Sequence, residues 1–164
     1  ARSDNFTGAP LPGYERAGAW LHRSAAEPLV RVVRGLAFRD RTLVVFDAFR
    51  PVRATRAMVA GCEANGQQKL LEGYVGRVSR HNRGIAIDVG LARRASGELL
   101  LMGTDWDAFH PGSWFASASG EAFENRRALR GAMEAEGFVP YDKEWWHFER
   151  PVEPLPAALD APYR

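Results

Sequence analysis

The chain has 164 residues, 46% of them apolar and 26% charged, the proportions of an ordinary globular domain with one good core. Its 22 Lys and Arg against 20 Asp and Glu leave a net charge of +2 and no basic run, which argues against nucleic acid and anionic membrane as partners. One cysteine, Cys62, excludes an intramolecular disulfide and any zinc site built from several cysteines, and no apolar stretch is long enough for a membrane span.

Taken in order, Asn5-Phe6-Thr7-Gly8-Ala9-Pro10-Leu11-Pro12-Gly13-Tyr14 is rich in Gly and Pro and reads as an ordered loop. Ser24-Ala25-Ala26-Glu27 has the spacing of a capping box and opens an expected helix, with Leu29, Val32, Val33 and Leu36 on one face. Residues 42–48 are a β-branched apolar run and are expected to form a buried strand. Residues 52–65 read as a helix with Val52, Met58, Val59 and Cys62 among its apolar positions, although Gly61 weakens it.

A polar connection spans 67–80, and an apolar strand spans 84–92. A turn at Ala95-Ser96-Gly97-Glu98 is expected to return Leu99-Leu100-Leu101 as a hairpin partner. Residues 103–119 read as an irregular loop long enough to be functional. The clearest helix is 121–136, with Phe123, Leu129 and Met133 on one side and Gly137 past its end. Phe138-Val139-Pro140-Tyr141 and Trp145-Trp146-His147-Phe148-Glu149 are short aromatic strands, and the proline-rich tail from Pro151 is expected to wrap the surface. No repeat or linker interrupts the pattern, so 1–164 reads as a single α+β domain, with helices packed on a small, mostly antiparallel sheet.

Three stretches carry residues that a plain core does not need. Ser79-Arg80-His81-Asn82-Arg83-Gly84-Ile85-Ala86-Ile87-Asp88 sets an aspartate inside an apolar strand, which is costly unless a cation compensates it. Glu144-Trp145-Trp146-His147 adds a second histidine three residues after a carboxylate, and Asp47-Ala48-Phe49-Arg50-Pro51 ends a strand on an arginine. Each alone has a bland reading: a paired surface histidine, sheet-covering aromatics, an ion-pair arginine. His22 and His110 are assigned such ordinary roles.

Together they are the parts of a hydrolytic zinc centre. Two imidazoles and a carboxylate hold the ion and leave a position for water. That assigns His81, Asp88 and His147 to the metal, Glu144 to proton transfer and Arg50 to the developing oxyanion. Positions i and i+3 of a regular strand face opposite sides. Glu144 and His147 can share a site only if Glu144 lies in a turn or the strand bulges.

These motifs resemble the D-alanyl-D-alanine dipeptidases of the VanX type, within the zinc D,D-peptidases. The resemblance covers nearly the whole chain. Besides the two metal motifs and the arginine motif, Asn5-Phe6-Thr7-Gly8, Met102-Gly103-Thr104-Asp105-Trp106-Asp107 and Asn125-Arg126-Arg127 carry it. The resemblance implies one Zn2+ per chain on His81, Asp88 and His147, with Glu144 as base, Arg50 stabilising the transition state, and hydrolysis of D-Ala-D-Ala to two D-alanines. It also implies that Asp107 takes the substrate's ammonium and that Ser79 and Tyr14 are pocket positions.

Two departures bear on pocket size and substrate range: a shorter connection at 64–79 and a different loop at 109–119. The Asn-Phe-Thr-Gly loop begins four residues in, as in a truncated or processed start. The resemblance favours a cytoplasmic enzyme, and a processed start leaves the periplasm open. Two other readings keep the same metal set: a D,D- or L,D-carboxypeptidase acting on longer wall peptides, and a non-catalytic zinc module like the hedgehog signalling domain.

Overall fold

A computed structural model describes residues 5–163. Three helices, α1 (Arg23–Ala37), α2 (Val52–Ala64) and α3 (Gly120–Ala135), accompany four strands, β1 (Arg41–Asp47), β2 (Ala86–Arg93), β3 (Val139–Tyr141) and β4 (Glu144–Glu149). The sheet is antiparallel throughout, in the order β1-β2-β4-β3. It is the expected α+β architecture. No helix among the described residues is long and apolar enough to cross a membrane.

β2 is central, and all but its last residue are buried. Its odd positions Ile87, Val89 and Leu91 join the main core with Val32 and Leu36 of α1, Leu129 and Met133 of α3, and Phe148 of β4. By the two-residue period of a strand, Asp88 and Gly90 face the other way. That second face carries the site.

Several local expectations shift. α1 is capped not by Ser24 but by His22, whose ring accepts the backbone N–H of Ser24 at 3.3 Å. His110 likewise accepts the N–H of Gly112 at 3.0 Å and caps a short 3-10 turn, so both spare histidines are helix caps. β1 is an edge strand and only partly buried, with Val45 39% exposed. Leu99 forms a single bridge to Ala92 instead of opening a hairpin strand, and Leu99 and Leu101 stay exposed. The connection at 67–80 holds two 3-10 turns, Gln68–Glu72 and the start of Arg80–Arg83.

Gly61 in α2 has a packing reason. A Cβ there would meet Thr7 Cβ at 3.1 Å, so the bare backbone admits the opening loop. That loop, α2 and the two long connections share a second small core, in which Met58, Val59, Cys62 and Val75 meet Phe6, Leu70, Tyr74 and Phe109. The tail does wrap the surface. Leu159 donates its N–H to Asn82 O at 2.8 Å, and Tyr163, buried against Trp20 and Tyr14, donates its hydroxyl to Phe49 O at 2.6 Å.

Candidate metal centre

Strand register assembles the centre. Asp47, Asp88 and His147 are successive cross-strand partners on β1, β2 and β4. A bulge at Phe46 brings Asp47 into that row: Val45 pairs with Val89 but Asp47 with Asp88. His81 comes from the 3-10 turn just before β2. Its N–H donates to Ser79 Oγ at 3.2 Å, and Gly84 closes the turn in the left-handed region at φ 64°.

Three atoms that could hold an ion form a tight triangle. His147 Nδ1 lies 3.0 Å from Asp88 Oδ1, His81 Nε2 lies 3.4 Å from that oxygen, and the two ring nitrogens are 3.3 Å apart. An ion with tetrahedral bonds of about 2.0–2.2 Å separates its ligands by roughly 3.2–3.5 Å. The donor set therefore fits a zinc-sized ion. Among the described residues, His81, Asp88 and His147 are the group close enough to hold one.

Each ligand has an outer partner. His81 Nδ1 donates to Ala48 O at 2.6 Å, which leaves Nε2 for a metal. Asp88 Oδ2 lies 3.9 Å from Arg50 Nη2. His147 Nε2 lies 3.4 Å from Glu149 Oε1.

Glu144 solves its facing problem by a large bulge. Pairing with β3 runs from Glu144↔Tyr141 directly to Phe148↔Pro140, so Trp145, Trp146 and His147 have no partners on β3. The extra length turns both Glu144 and His147 into one cavity of about 410 Å³, and Glu144 Oε2 lies 3.9 Å from His147 Nδ1. Burial is the main cause that pushes the Glu144 carboxyl up to about 8; Asp88 adds to it and His147 opposes it. Asp88 is itself buried, which alone would raise its pKa, yet His81 and His147 hold it well below the usual carboxylate range. Burial likewise works against a charged His147, but Asp88, Glu149 and Glu144 push its pKa up to about 10.

Arg50 follows β1 and sits between two carboxylates. Its Nε donates to Asp47 Oδ2 at 2.8 Å, and Nη2 lies 2.8 Å from the same oxygen. Without that guanidinium, Asp47 and Asp88 would be like charges directly opposite one another.

Arg50, Ser79 and Asp107 line the cavity with the metal triad and Glu144. Asp107 sits at φ 59° in the loop after Met102. Burial, followed by the charge of Asp88, raises its pKa well above the usual carboxylate range.

Tyr14 takes a different place. It lines an adjoining cavity that shares Arg50, Met58 and Asp107 with the first, and its hydroxyl donates to Asp47 at 2.8 Å.

The residue signals were incomplete in three respects. Ala48 acts through its carbonyl, which no side-chain pattern reveals. Asp47 stood in the arginine motif, but its bond to Arg50 depends on the chain turn after β1. Arg126 looked like part of a helix motif. It is buried and donates to Met102 O at 2.6 Å, Trp114 O at 2.6 Å and Gly112 O at 3.0 Å, pinning the loop that carries Asp107.

This α+β fold, with two histidines and an aspartate at its sheet face and a buried glutamate beside them, is that of a metallopeptidase. More narrowly, the Peptidase M15 family profile, described as D-ala-D-ala dipeptidase, matches residues 1–163, and the chain belongs to that family. It is 36% identical over 169 residues to a D-alanyl-D-alanine dipeptidase of Enterococcus faecium, covering 93% of this chain and 84% of that one. A D-alanyl-D-alanine dipeptidase of Escherichia coli (strain K12) is 35% identical over 153 residues, 92% of this chain and 76% of its own.

Two solved structures share the fold. The vancomycin-resistance D,D-pentapeptidase VanY, in complex with Zn(II), matches with a TM-score of 0.53 at 17% identity, over 84% of this chain and 76% of that one. The vancomycin-resistance D,D-dipeptidase VanXYg, in complex with a D-Ala-D-Ala phosphinate analogue, gives 0.51 at 22% identity, over 88% and 56%.

Proposed function

We propose that the chain hydrolyses the dipeptide D-Ala-D-Ala to two D-alanines at one zinc ion per chain, held by His81 Nε2, Asp88 Oδ1 and His147 Nδ1. The observation that carries the reading is the 3.0–3.4 Å triangle of these atoms with Glu144 at its edge, in a chain of this family. Bound there, zinc would acidify a water and polarise the scissile carbonyl.

Glu144 takes the water proton as the water oxygen adds to the carbonyl carbon. It returns that proton to the amine nitrogen as the C–N bond breaks. Glu144 stands at the edge of the triangle, 3.9 Å from His147 Nδ1, where one carboxylate can do both. Arg50, fixed by Asp47 through Nε and Nη2, keeps Nη1 for the carbonyl oxygen as it becomes an oxyanion. Asp107 pairs with the substrate's free ammonium, and the Ser79 hydroxyl lines the same space. Tyr14 serves by holding Asp47, and through it Arg50. The chain acts as one domain with a small D,D-dipeptide as its partner and no nucleic acid.

Chelation is expected to abolish D-Ala-D-Ala cleavage, and added Zn2+ to restore it. Glu144→Ala should keep its zinc and lose about 10²–10⁴-fold in kcat; full activity in that protein would sink the mechanism. Equal turnover of a pentapeptide ending in D-Ala-D-Ala would instead favour a carboxypeptidase. A zinc-loaded protein that cleaves no D,D-dipeptide would favour a binding module.

A further inference from the structure

The two imidazoles of the triangle are held differently. His81 gives its outer nitrogen to a buried backbone carbonyl, Ala48 O, at 2.6 Å. Among the described residues, no carbonyl takes that place at His147. Its outer nitrogen, Nε2, faces Glu149 Oε1 at 3.4 Å.

The backbone puts Glu149 there by rule. Positions 147 and 149 of β4 lie on one face of the strand. Across the ladder, Glu149 pairs with Ala86, whose single methyl leaves room for a carboxylate to lean toward the ring. On its outer side Glu149 Oε2 lies 3.6 Å from Arg80 Nε, a residue adjacent to His81. That contact joins two side chains 45% and 39% exposed and contributes little to stability by itself. What it does is restrain the carboxylate next to His147.

We propose that Glu149 is a positioning residue of the metal centre: it accepts the Nε2–H of His147, so that Nδ1 is the nitrogen offered to the ion, and Arg80 holds the carboxylate in place. This rests on the zinc reading given above. An imidazole whose outer N–H is bound is fixed in tautomer and in ring angle and is a better donor; loss of such a partner costs 10–100-fold in metal affinity in general.

The test is zinc affinity of the full chain at fixed pH, by competition with a chromophoric chelator, with zinc alone as the probe. Glu149→Ala is expected to bind zinc about 10–100-fold more weakly than the unmodified chain. Glu149→Gln keeps an amide oxygen that can accept from Nε2–H and should recover most of the loss. Glu149→Asp keeps the charge but withdraws it by one methylene, and should fall between the two; it serves where the alanine protein does not fold. The visible absorption of the Co2+-loaded protein should shift in the alanine and aspartate variants and not in the glutamine one, because ring orientation alters the ligand field. Zinc affinity within twofold of the unmodified chain in either the alanine or the aspartate protein, with an unshifted cobalt spectrum, would overturn the proposal. An unmodified chain that binds no zinc would overturn the metal reading itself, and that arm tells the two failures apart.

Discussion

Asp88 shows what a single residue must satisfy here. It is buried on the central strand, faces Asp47 across one ladder and His147 across the other, and has Arg50 3.9 Å away. Arg50 therefore separates two carboxylates, and in the proposed reaction it also offers Nη1 to the substrate. Lysine cannot do both, since an ammonium lacks the planar fork that binds one carboxylate while aiming elsewhere. Arg50→Lys is expected to lower kcat for D-Ala-D-Ala about 10²–10³-fold with little change in KM, measured at saturating zinc. Asp107 is the opposite kind of residue: it lies outside the metal group, and in the proposed reaction it acts on the substrate. Asp107→Asn should raise KM about 10–100-fold, the size of one lost charge pair, and leave zinc content unchanged. An unaltered KM would remove Asp107 from the ammonium site.

At the scale of elements, what was legible in the residues was what depends on neighbours along the chain. The apolar period of α3, the β-branched run of β1 and the continuous apolar run of β2 all appear near their expected limits. What depends on partners across space was not legible. β1 has the same composition whether central or at an edge, and the structure puts it at an edge. The residue types of the site were readable because His, Asp and Glu are out of place among Ile, Val and Trp. Their convergence was expected from their chemistry and the resemblance, but the means was not legible, because it lies in the register between β2 and β4 and the three unpaired residues of β4 against β3. Arg126 belongs here too. Its three bonds to carbonyls tie α3 to the loop at 102–114, so helix packing sets where Asp107 stands. Arg126→Leu would leave Met102 O buried and unpaired, at about 1–3 kcal/mol, and would release the part-buried carbonyls of Gly112 and Trp114. The expected result is a loss of about 3–5 kcal/mol in urea unfolding and a KM for the dipeptide that rises by a larger factor than kcat falls.

For the molecule as a whole, the uneven placement of charge decides how stability depends on metal and pH. The chain carries only +2, yet the cavity lining sets Glu72, Asp88, Asp107, Glu144 and Glu149 against Arg50 and Arg80. Such a site lacks positive charge, and without a dication it takes protons instead. His147 is pushed up to about 10 from 6.5, and Glu144 up to about 8 from 4.5. A group with a raised pKa binds its proton more tightly in the folded than in the unfolded chain, so its contribution is complete at low pH and declines as pH rises. For Glu144 that decline runs between about 4.5 and 8, and for His147 between about 6.5 and 10. The carboxylate with a strongly lowered pKa, Asp88, loses its contribution only in acid and does not oppose the trend above neutrality. The metal-free protein should therefore unfold at lower urea concentration at pH 10 than at pH 6. At the proposed site zinc must displace the His147 proton, so zinc should bind more tightly, and stabilise the fold by a wider margin, as pH rises over the same range. Urea midpoints of chelated and zinc-loaded protein at both pH values test this. A metal-free protein more stable at pH 10 than at pH 6 would mean that the cavity's carboxylates and His147 do not hold protons in place of the ion.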